Sequence, residues 1–154
     1  KKLFSEIIER KRIENELRHQ SNHDVLTNLA NRRYFNGYAN KKIAQANRDK
    51  HKITFIYMDL NRFKAINDDI SHEAGDFVLQ TIGKRLKNSV RKNELIARLG
   101  GDEFCMIVYG SSNSQDELNK IIQRISAQCE DSIKYKQFEM EYIEIEIKCK
   151  LKLN

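Results

Sequence analysis

The chain has 154 residues, of which 40% are hydrophobic and 32% are charged, and its formal net charge is +6. This length and composition are typical of one globular domain with one additional element. No apolar run approaches the ~20 residues of a membrane span, and no basic block with interleaved aromatic residues indicates nucleic-acid binding. The positive charge is compatible with an anionic ligand such as a nucleotide, although a solvated lysine-rich surface is the preferred explanation from charge alone.

Three widely spaced cysteines, Cys105, Cys129 and Cys149, form neither a C-x-x-C pair nor an even disulfide framework. This pattern predicts reduced, packing thiols in a cytosolic compartment. No signal peptide is visible, and the first residue is Lys1 rather than Met. We therefore expect a piece of a longer protein that is cytoplasmic, or the cytoplasmic part of a membrane-anchored protein.

Residues 1–22 are predicted to form one helix, because apolar residues recur on one face and charges of both signs cover the rest. Glu6 with Arg10 and Glu14 with Arg18 are oppositely charged i,i+4 pairs. The segment has little core of its own, so a linker to an upstream domain or a parallel two-helix coiled coil fits it. A simple amphipathic helix packed on the domain is the alternative, and the apolar seam is too short to decide.

The next segments alternate between helical and strand patterns. A second helix is predicted at about 32–48, and the apolar run at 53–60 is typical of a central strand that is covered on at least part of both faces. A short helical turn is expected at 62–69. A longer helix is expected at 73–90, where apolar residues are spaced by four.

The segments ELIARLG and EFCMIVYG are predicted to form a β-hairpin, since only Gly101 and Asp102 separate them. Ser114 and Glu117 form a capping box that begins a further helix, which runs to about Glu130.

The tail, residues 138–153, alternates between apolar and polar residues, but the phase slips near Tyr142, which predicts a bulge or break there. The predicted order is thus helix, helix, strand, helix, helix, hairpin, helix, strand. A short hairpin between helices favours an α+β fold, in which an antiparallel or mixed central sheet carries flanking helices, over a doubly wound parallel sheet.

Two acidic residues are expected at the ends of neighbouring strands: Asp59 ends the apolar run, and Asp102 lies in the hairpin turn. Carboxylates a few ångströms apart repel each other unless a cation lies between them. Such oxygen ligands suit Mg²⁺ with the phosphates of a nucleotide, and the adjacent glycines let a ligand approach the backbone. An ordinary polar turn also explains the Gly-Gly-Asp-Glu sequence, and those residues alone favour it.

Several motifs together resemble the GGDEF family of diguanylate cyclases. They are DVLTNLANRR at 24–33, DLNRFKAIND at 59–68, H-x-x-G-D at 72–76 and RLGGDEF at 98–104. They follow the family's order and spacing across residues 23–130. The first helix is also similar to the linker that joins sensor domains to this family, so the resemblance implies a signalling linker at 1–22 and a GGDEF domain at 23–154.

The resemblance implies a fold like the palm of polymerases and nucleotide cyclases, with a ferredoxin-like core and the GGDEF sequence on a central hairpin. It also implies a reaction in which two GTP molecules, one on each of two facing domains, condense into cyclic di-GMP and two pyrophosphates. The implied partners are GTP, a second copy that joins through the domain and the N-terminal helix, and an upstream sensor domain.

The resemblance assigns a metal ion, Mg²⁺ or Mn²⁺, to Asp59, Asp102 and the backbone carbonyl of Leu60. Such ions neutralise a triphosphate and lower the pKa of an attacking hydroxyl. Asp102 is also expected to take the hydroxyl proton, and its neighbour Glu103 to support the metal or the substrate. Lys64 matches a lysine that stabilises charge on the phosphates.

Three further residues match substrate contacts of the family. Asn67 and Asp76 match the guanine readers, since a carboxylate accepts hydrogen bonds from guanine N1–H and N2–H₂, which adenine does not offer. His72 matches another substrate contact. Taken singly, each has an ordinary structural explanation as a cap, a first-turn helix acid or a surface residue.

The chain departs from the family pattern at three places. Ser71 stands where the family has glycine, so a left-handed backbone there would be strained. Arg91 and Glu94 stand where the family often has R-x-x-D, an inhibitory site for the product. The longer glutamate makes this site degenerate, and we expect no product inhibition through Arg91. Glu146 and Lys148 stand where the family strand reads S-x-G, so we expect a domain that is altered or truncated at its C-terminal end.

The lysines of the tail are a candidate replacement for phosphate ligands of the family: Lys148, Lys150 and Lys152. Their i,i+2 spacing more simply indicates one solvated face of a strand. Two alternative functions stay open. One is a catalytically impaired domain that binds GTP or a partner and relays a signal, and the other is a different nucleotidyltransferase on the same palm.

Overall fold

The computed structural model describes residues 1–110, 114–140 and 145–152. Its elements are α1 (Lys2–Asn22), α2 (Arg32–Asp49), β1 (Lys52–Leu60), α3 (Phe63–Asp69), α4 (His72–Ser89), β2 (Glu94–Gly100), β3 (Glu103–Gly110), α5 (Gln115–Cys129), β4 (Ile133–Tyr135), β5 (Phe138–Met140) and β6 (Ile145–Lys152). The predicted helices and the predicted hairpin are all present among them.

Four of the described strands form one antiparallel sheet in the order β2-β3-β1-β6. The central strand β1 pairs with β3 on one side and with β6 on the other, so Glu103 and Glu146 both lie opposite Asp59. With helices on its faces, this sheet confirms the predicted α+β class and the antiparallel central sheet. A register shift between Arg98 and Gly100 interrupts β2 just before the hairpin turn.

The alternation of side chains along β1 divides the core between two faces of the sheet. The residues that pack with α4 and α5 are fully buried: Ile56, Met58 and Leu60. On the opposite face, Phe55 packs edge-on against Phe35 of α2. Tyr57 and Asp59 follow on that same face and are exposed. The end of β1 that carries Asp59 is therefore open to solvent on this face.

The helix α1 contributes nothing to the core, since none of its residues is buried. Its apolar side chains are 48% to 72% exposed: Leu3, Phe4, Ile7, Ile8, Ile13 and Leu17. Asn31 ties its end to the domain, because the Asn31 amide donates to the carbonyl of Ser21 at 2.9 Å. The predicted helix is present, but its apolar face is not packed along the domain. Among the described helices, none combines the length and the apolar character of a membrane span.

The tail differs from the prediction of one alternating strand. Its first part, β5, pairs with β4 in a separate two-stranded sheet, and β6 joins the main sheet. The predicted break near Tyr142 falls at residues 141–144, outside the described residues. Sequence patterns did not predict β4, because it is three residues long and the following turn has Lys136 at φ 53° in place of glycine.

Candidate active site

The hairpin turn brings together the acidic residues expected at the strand ends. Gly100 and Gly101 have φ values of 140° and 53°, a backbone region that glycine adopts without steric cost. This turn sets Asp102 directly before β3, whose first residue, Glu103, pairs with Asp59. The carboxyl groups of Asp59 and Asp102 are consequently close enough at the end of β1 for Asp102 to raise the pKa of Asp59.

The electrostatic surroundings of Asp59 oppose its negative charge. Partial burial raises the pKa of its carboxyl group, and the neighbouring Asp102 raises that pKa further. Glu146, opposite Asp59 on β6, adds to the increase, while a hydrogen bond from the backbone of Leu60 lowers the pKa. The net direction is upward, so a cation between these carboxylates would relieve the repulsion.

The carboxylate oxygens at this position are chemically suited to a hard divalent cation. Within the described ranges, no group of three or more His, Cys, Asp or Glu side chains is arranged to hold a metal ion. The two carboxylates supply hard oxygen donors, and Mg²⁺ usually completes its octahedron with waters and substrate phosphates. A partial set of this kind suits a metal–nucleotide complex better than a permanently held ion.

A cleft of about 360 Å³ adjoins the acidic pair on the face of the sheet that carries Tyr57. Its charged lining residues are Arg32, Asp59, Glu103, Glu146 and Lys148. Arg32 donates from Nε to the carbonyl of Leu99 at 2.9 Å, and its guanidinium lies 3.8 Å from Glu103. Sequence reasoning did not assign Arg32, although it directly follows the α2 cap, Asn31.

Lys148 lies on a solvated face of β6, as its spacing predicts, and it also lines this cleft. Because β6 runs antiparallel to β1, Lys148 pairs with Tyr57 and shares the face of Asp59. Its Nζ lies 3.0 Å from Oε1 of Glu146. This hydrogen-bonded ion pair raises the pKa of Lys148, and the charge of Asp59 contributes to the increase.

The residues predicted to contact substrate lie on α3 and at the beginning of α4, two helices that pack together. Lys64 is exposed on α3, and His72 and Asp76 are exposed on α4. The side chains of Lys64 and His72 make no hydrogen bond or ion pair within the described part of the chain. Asn67 is half-buried. Lys64, His72 and Asp76 are therefore open to a ligand from solvent.

Gly75 allows Asn67 to approach the first turn of α4. A Cβ atom at position 75 would lie 1.9 Å from Oδ1 of Asn67 and 3.2 Å from Cζ of Phe63. Only a residue without a side chain fits this approach. Because Asp76 is the next residue, the structure brings the two predicted guanine readers into one region.

Ser71 needs no left-handed backbone, so the strain expected at this position is absent. Its φ is −174°, which is an extended conformation. Its hydroxyl oxygen accepts a hydrogen bond from the N–H of Ala74 at 3.1 Å and so caps α4. The residue that replaces glycine therefore stabilises the beginning of this helix.

The Glu94 carboxylate of the predicted degenerate inhibitory site is bound within the protein. The Glu94 side chain is 3% exposed, and its carboxylate accepts hydrogen bonds from Arg124 of α5 at 2.6 and 2.8 Å. It also accepts from the backbone N–H of Arg91 at 2.9 Å, while Arg91 itself is exposed. Sequence reasoning missed Arg124, which lies 30 residues from its partner.

Arg98 connects the hairpin turn to the segment before α2. Its guanidinium donates to the carbonyl of Gly101 at 2.7 and 2.9 Å and to the carboxylate of Asp24 at 3.0 and 3.2 Å. Burial raises the pKa of Asp24, but hydrogen bonds from Thr27 and Arg98 outweigh it, and the net pKa is lowered. The motifs DVLTNLANRR and RLGGDEF therefore bind each other, which sequence spacing did not predict.

Comparison with known families and proteins agrees with this geometry. The family model described as "Diguanylate cyclase, GGDEF domain" matches residues 21–150. Diguanylate cyclase TpbB of Pseudomonas aeruginosa is 40% identical over 102 residues, which are 66% of this chain and 23% of TpbB. Diguanylate cyclase DgcS of Shewanella oneidensis is 36% identical over 96 residues, or 62% of this chain and 32% of DgcS. The chain thus spans less than a third of the length of either relative.

Solved structures give the same result. The GGDEF domain of Pseudomonas aeruginosa TpbB matches with a TM-score of 0.77 at 33% identity, covering 84% of this chain and 74% of that chain. The coiled coil and GGDEF domain of DgcB from Caulobacter crescentus, in complex with c-di-GMP, matches with a TM-score of 0.84 at 23% identity. That match covers 98% of this chain and 81% of the other and shows a shared fold.

Proposed function

This chain belongs to the GGDEF domain family, and from that premise we propose that it is a diguanylate cyclase domain of bacterial second-messenger signalling. Its reaction would condense two GTP molecules into cyclic di-GMP and release two pyrophosphates. The observation that carries the proposal is the meeting of Asp59 and Asp102 at the open end of the central strand, where like charges oppose each other. Relatives named diguanylate cyclases support the same activity.

In this proposal, Asp59, Asp102 and the carbonyl of Leu60 hold Mg²⁺ or Mn²⁺. A bound ion of this kind neutralises the triphosphate and lowers the pKa of the attacking 3′-hydroxyl. The carboxylate of Asp102 accepts the proton from that hydroxyl. Glu103, whose carboxylate lies 3.8 Å from Arg32, supports the site from the first position of β3.

The substrate contacts of the proposal come from α3 and α4. Lys64 stabilises charge on the phosphates, and His72 contacts the nucleotide from the beginning of α4. Asn67 and Asp76 bind the guanine edge, where a carboxylate accepts from two N–H donors that adenine does not present in the same arrangement. The close approach of Asn67 to Gly75, the neighbour of Asp76, supports this pairing of roles.

The proposed reaction requires two domains, because each 3′-hydroxyl attacks the α-phosphate of the nucleotide on the other domain. We assign dimerisation to the domain and to α1, whose apolar side chains are exposed and which buries no residue within one chain. A second copy of α1 would cover that apolar face in a parallel coiled coil. An upstream sensor domain would act through the same helix, and the substrate GTP assigns the reaction to the cytoplasm.

The proposal is tested by incubating the dimeric chain with GTP and Mg²⁺ and separating the nucleotides by chromatography. We expect cyclic di-GMP and pyrophosphate to form, and ATP to give no cyclic product. Chelation of the divalent cation is expected to stop the reaction. A folded dimer that forms no cyclic di-GMP would reject the proposal, and faster turnover of ATP would favour a different nucleotidyltransferase.

A second candidate function is a catalytically impaired domain that binds GTP or a partner and relays a signal. The observation that favours it is Glu146, which adds a negative charge opposite Asp59. Calorimetry with GTP beside the product assay separates the two functions. Binding without product would support the impaired domain, whereas binding with product would exclude it.

A further inference from the structure

We propose that Lys148 binds the terminal phosphates of the nucleotide, from the β6 side of the site, and this inference rests on the proposed function. No family motif marks this residue as a ligand. The assignment comes from its place in the sheet, its present partner and the charges around it.

The antiparallel pairing of β6 with β1 determines where Lys148 lies. Glu146 is opposite Asp59, and Lys148 is opposite Tyr57, so both β6 side chains are on the exposed face of β1. Both line the cleft of about 360 Å³ that contains Asp59. The Lys148 ammonium reaches toward the strand end, because its Nζ lies 3.0 Å from Oε1 of Glu146.

The two basic residues of the cleft differ in how firmly they are held. The Arg32 guanidinium has a backbone partner, the carbonyl of Leu99 at 2.9 Å, in addition to Glu103. Lys148 is held by Glu146, in a pair whose side chains are 73% and 49% exposed. An ion pair so open to water adds little to stability. The Lys148 ammonium is therefore the basic group that can exchange its partner for a ligand.

Polyphosphate is the ligand chemistry that fits this exchange. Glu146 lies opposite Asp59, and the Lys148 ammonium lies 3.0 Å from Oε1 of Glu146. The phosphates of a nucleotide that shares a cation with Asp59 would therefore be within reach of Lys148. A charge-assisted hydrogen bond to phosphate is stronger than one to a neutral group. The opposite role is an internal counter-ion, in which Lys148 stays beside Asp59 and Glu146 and competes with the divalent cation. The two roles predict opposite changes in the Kd of the nucleotide when the lysine is removed. Loss of a phosphate ligand raises the Kd, and loss of an internal counter-ion lowers it.

Calorimetry on the whole chain separates these roles, with Mg²⁺ and a GTP analogue whose α,β-bridging oxygen is a methylene group. This analogue cannot release pyrophosphate, so binding is measured without turnover. Lys148→Gln is expected to raise the Kd of the analogue ~5- to 10-fold. The Kd of GMP, which lacks the terminal phosphates, is expected to change less than about twofold. Lys148→Arg should retain affinity, and the matched control Lys120→Gln, at an exposed lysine of α5, should have no effect.

Each result decides between the roles. An unchanged Kd for the analogue in Lys148→Gln would overturn the inference, and so would tighter binding, which indicates the internal counter-ion. A Lys148-dependent Kd in a chain that makes no cyclic di-GMP from GTP would reject the proposed function but retain the inference. Cyclic di-GMP formation with an unchanged Kd would reject the inference alone. A wild-type chain that does not bind the analogue would reject both.

Discussion

Two regions of this domain place a glutamate or aspartate at the end of a strand, and their surroundings are opposite. At the strand-end site, Asp59 is exposed and meets Asp102 and Glu146, so its neighbours raise its pKa. At the buried pair, Glu94 begins β2 with its side chain 3% exposed and accepts two hydrogen bonds from Arg124. One carboxylate repels its neighbours, and the other is neutralised by the protein.

This difference is the physical reason for proposing a ligand site at Asp59 and a structural role for Glu94. A buried carboxylate must be neutralised by the fold itself, because desolvation of an unpaired charge is costly. A carboxylate that is left among like charges at an open strand end gains most from an added cation. We therefore expect substitutions at the strand-end site to change activity and substitutions at the buried pair to change stability.

Asp59→Asn is expected to have the largest effect on activity. Loss of one metal carboxylate should lower cyclic di-GMP formation at least ~100-fold. The thermal unfolding midpoint should stay the same or rise, because a repulsive charge is removed. Product chromatography and thermal denaturation measure the two effects. Asp116→Asn, at an exposed acid in the first turn of α5, is the control and should retain activity. An Asp59→Asn variant that keeps nearly full activity would contradict the expectation that the strand-end site governs activity and the buried pair governs stability.

Arg124→Ala is expected to have the largest effect on stability. The substitution leaves the Glu94 carboxylate buried without its cation, so the free energy of unfolding should fall by about 3 kcal/mol. Urea denaturation measures this change. Activity per folded molecule should be unaffected. The control Arg91→Ala removes an exposed side chain and should change stability by less than about 0.5 kcal/mol. Similar stability losses in the two variants would contradict the assignment of the buried pair.

Asp24→Asn is expected to give a smaller, pH-dependent loss of stability. The pKa of Asp24 is lowered in the folded chain from its ordinary value of 3.8. Between the folded-state pKa and the ordinary pKa, the folded state therefore binds fewer protons than the unfolded state. The stabilisation is therefore fully present above the ordinary pKa and is lost as the pH falls through the folded-state pKa. Urea denaturation should show a loss of about 1–2 kcal/mol at neutral pH. The difference in free energy of unfolding between wild type and Asp24→Asn should shrink below about pH 4. A difference that does not change with pH would contradict the prediction.

Gly75→Ala is expected to weaken nucleotide binding without unfolding the domain. The added methyl group would meet Oδ1 of Asn67 at 1.9 Å, so this flexible side chain must move away from position 75. The Kd for the GTP analogue should rise about three- to tenfold. Gly37→Ala is a matched control, since nothing lies within 4 Å of its added Cβ. It should stabilise α2 by up to ~1 kcal/mol with unchanged binding. Equal affinities in the two variants would exclude a positioning role for Gly75.

Arg91→Ala is expected to have the smallest effect on activity. Glu94 is already bound by Arg124, so its carboxylate is not free to form a joint site with Arg91. Sensitivity to added cyclic di-GMP should therefore match that of the wild type within about twofold. Initial rates at increasing product concentrations measure it. A wild-type chain that is inhibited through Arg91 would contradict the structural role given to Glu94.

Elements that depend on local pattern were predictable from the sequence. Three local patterns each indicate one element. They are the apolar run of β1, the glycine turn of the hairpin and the four-residue spacing of apolar residues in α4. The strand β4 was not predictable, because three residues do not establish a period. The acidic residues of the strand-end site were predictable as neighbours, since both follow strand patterns directly.

The long-range contacts were not predictable from local pattern. The pairs Glu94–Arg124 and Asp24–Arg98 join residues 30 and 74 positions apart, and no period connects such positions. The place of Lys148 depends on β6 pairing with β1, which requires knowledge of the strand order. The roles of Lys64, Asn67, His72 and Asp76 came from family resemblance and stay predictions.

The most direct measurement is a crystal structure of the chain with Mn²⁺ and the α,β-methylene analogue of GTP, using the anomalous signal of manganese to locate the ion. The account predicts manganese bound by the carboxylates of both Asp59 and Asp102, with phosphate oxygens completing its coordination. A nucleotide bound in this cleft with manganese away from both carboxylates would contradict it.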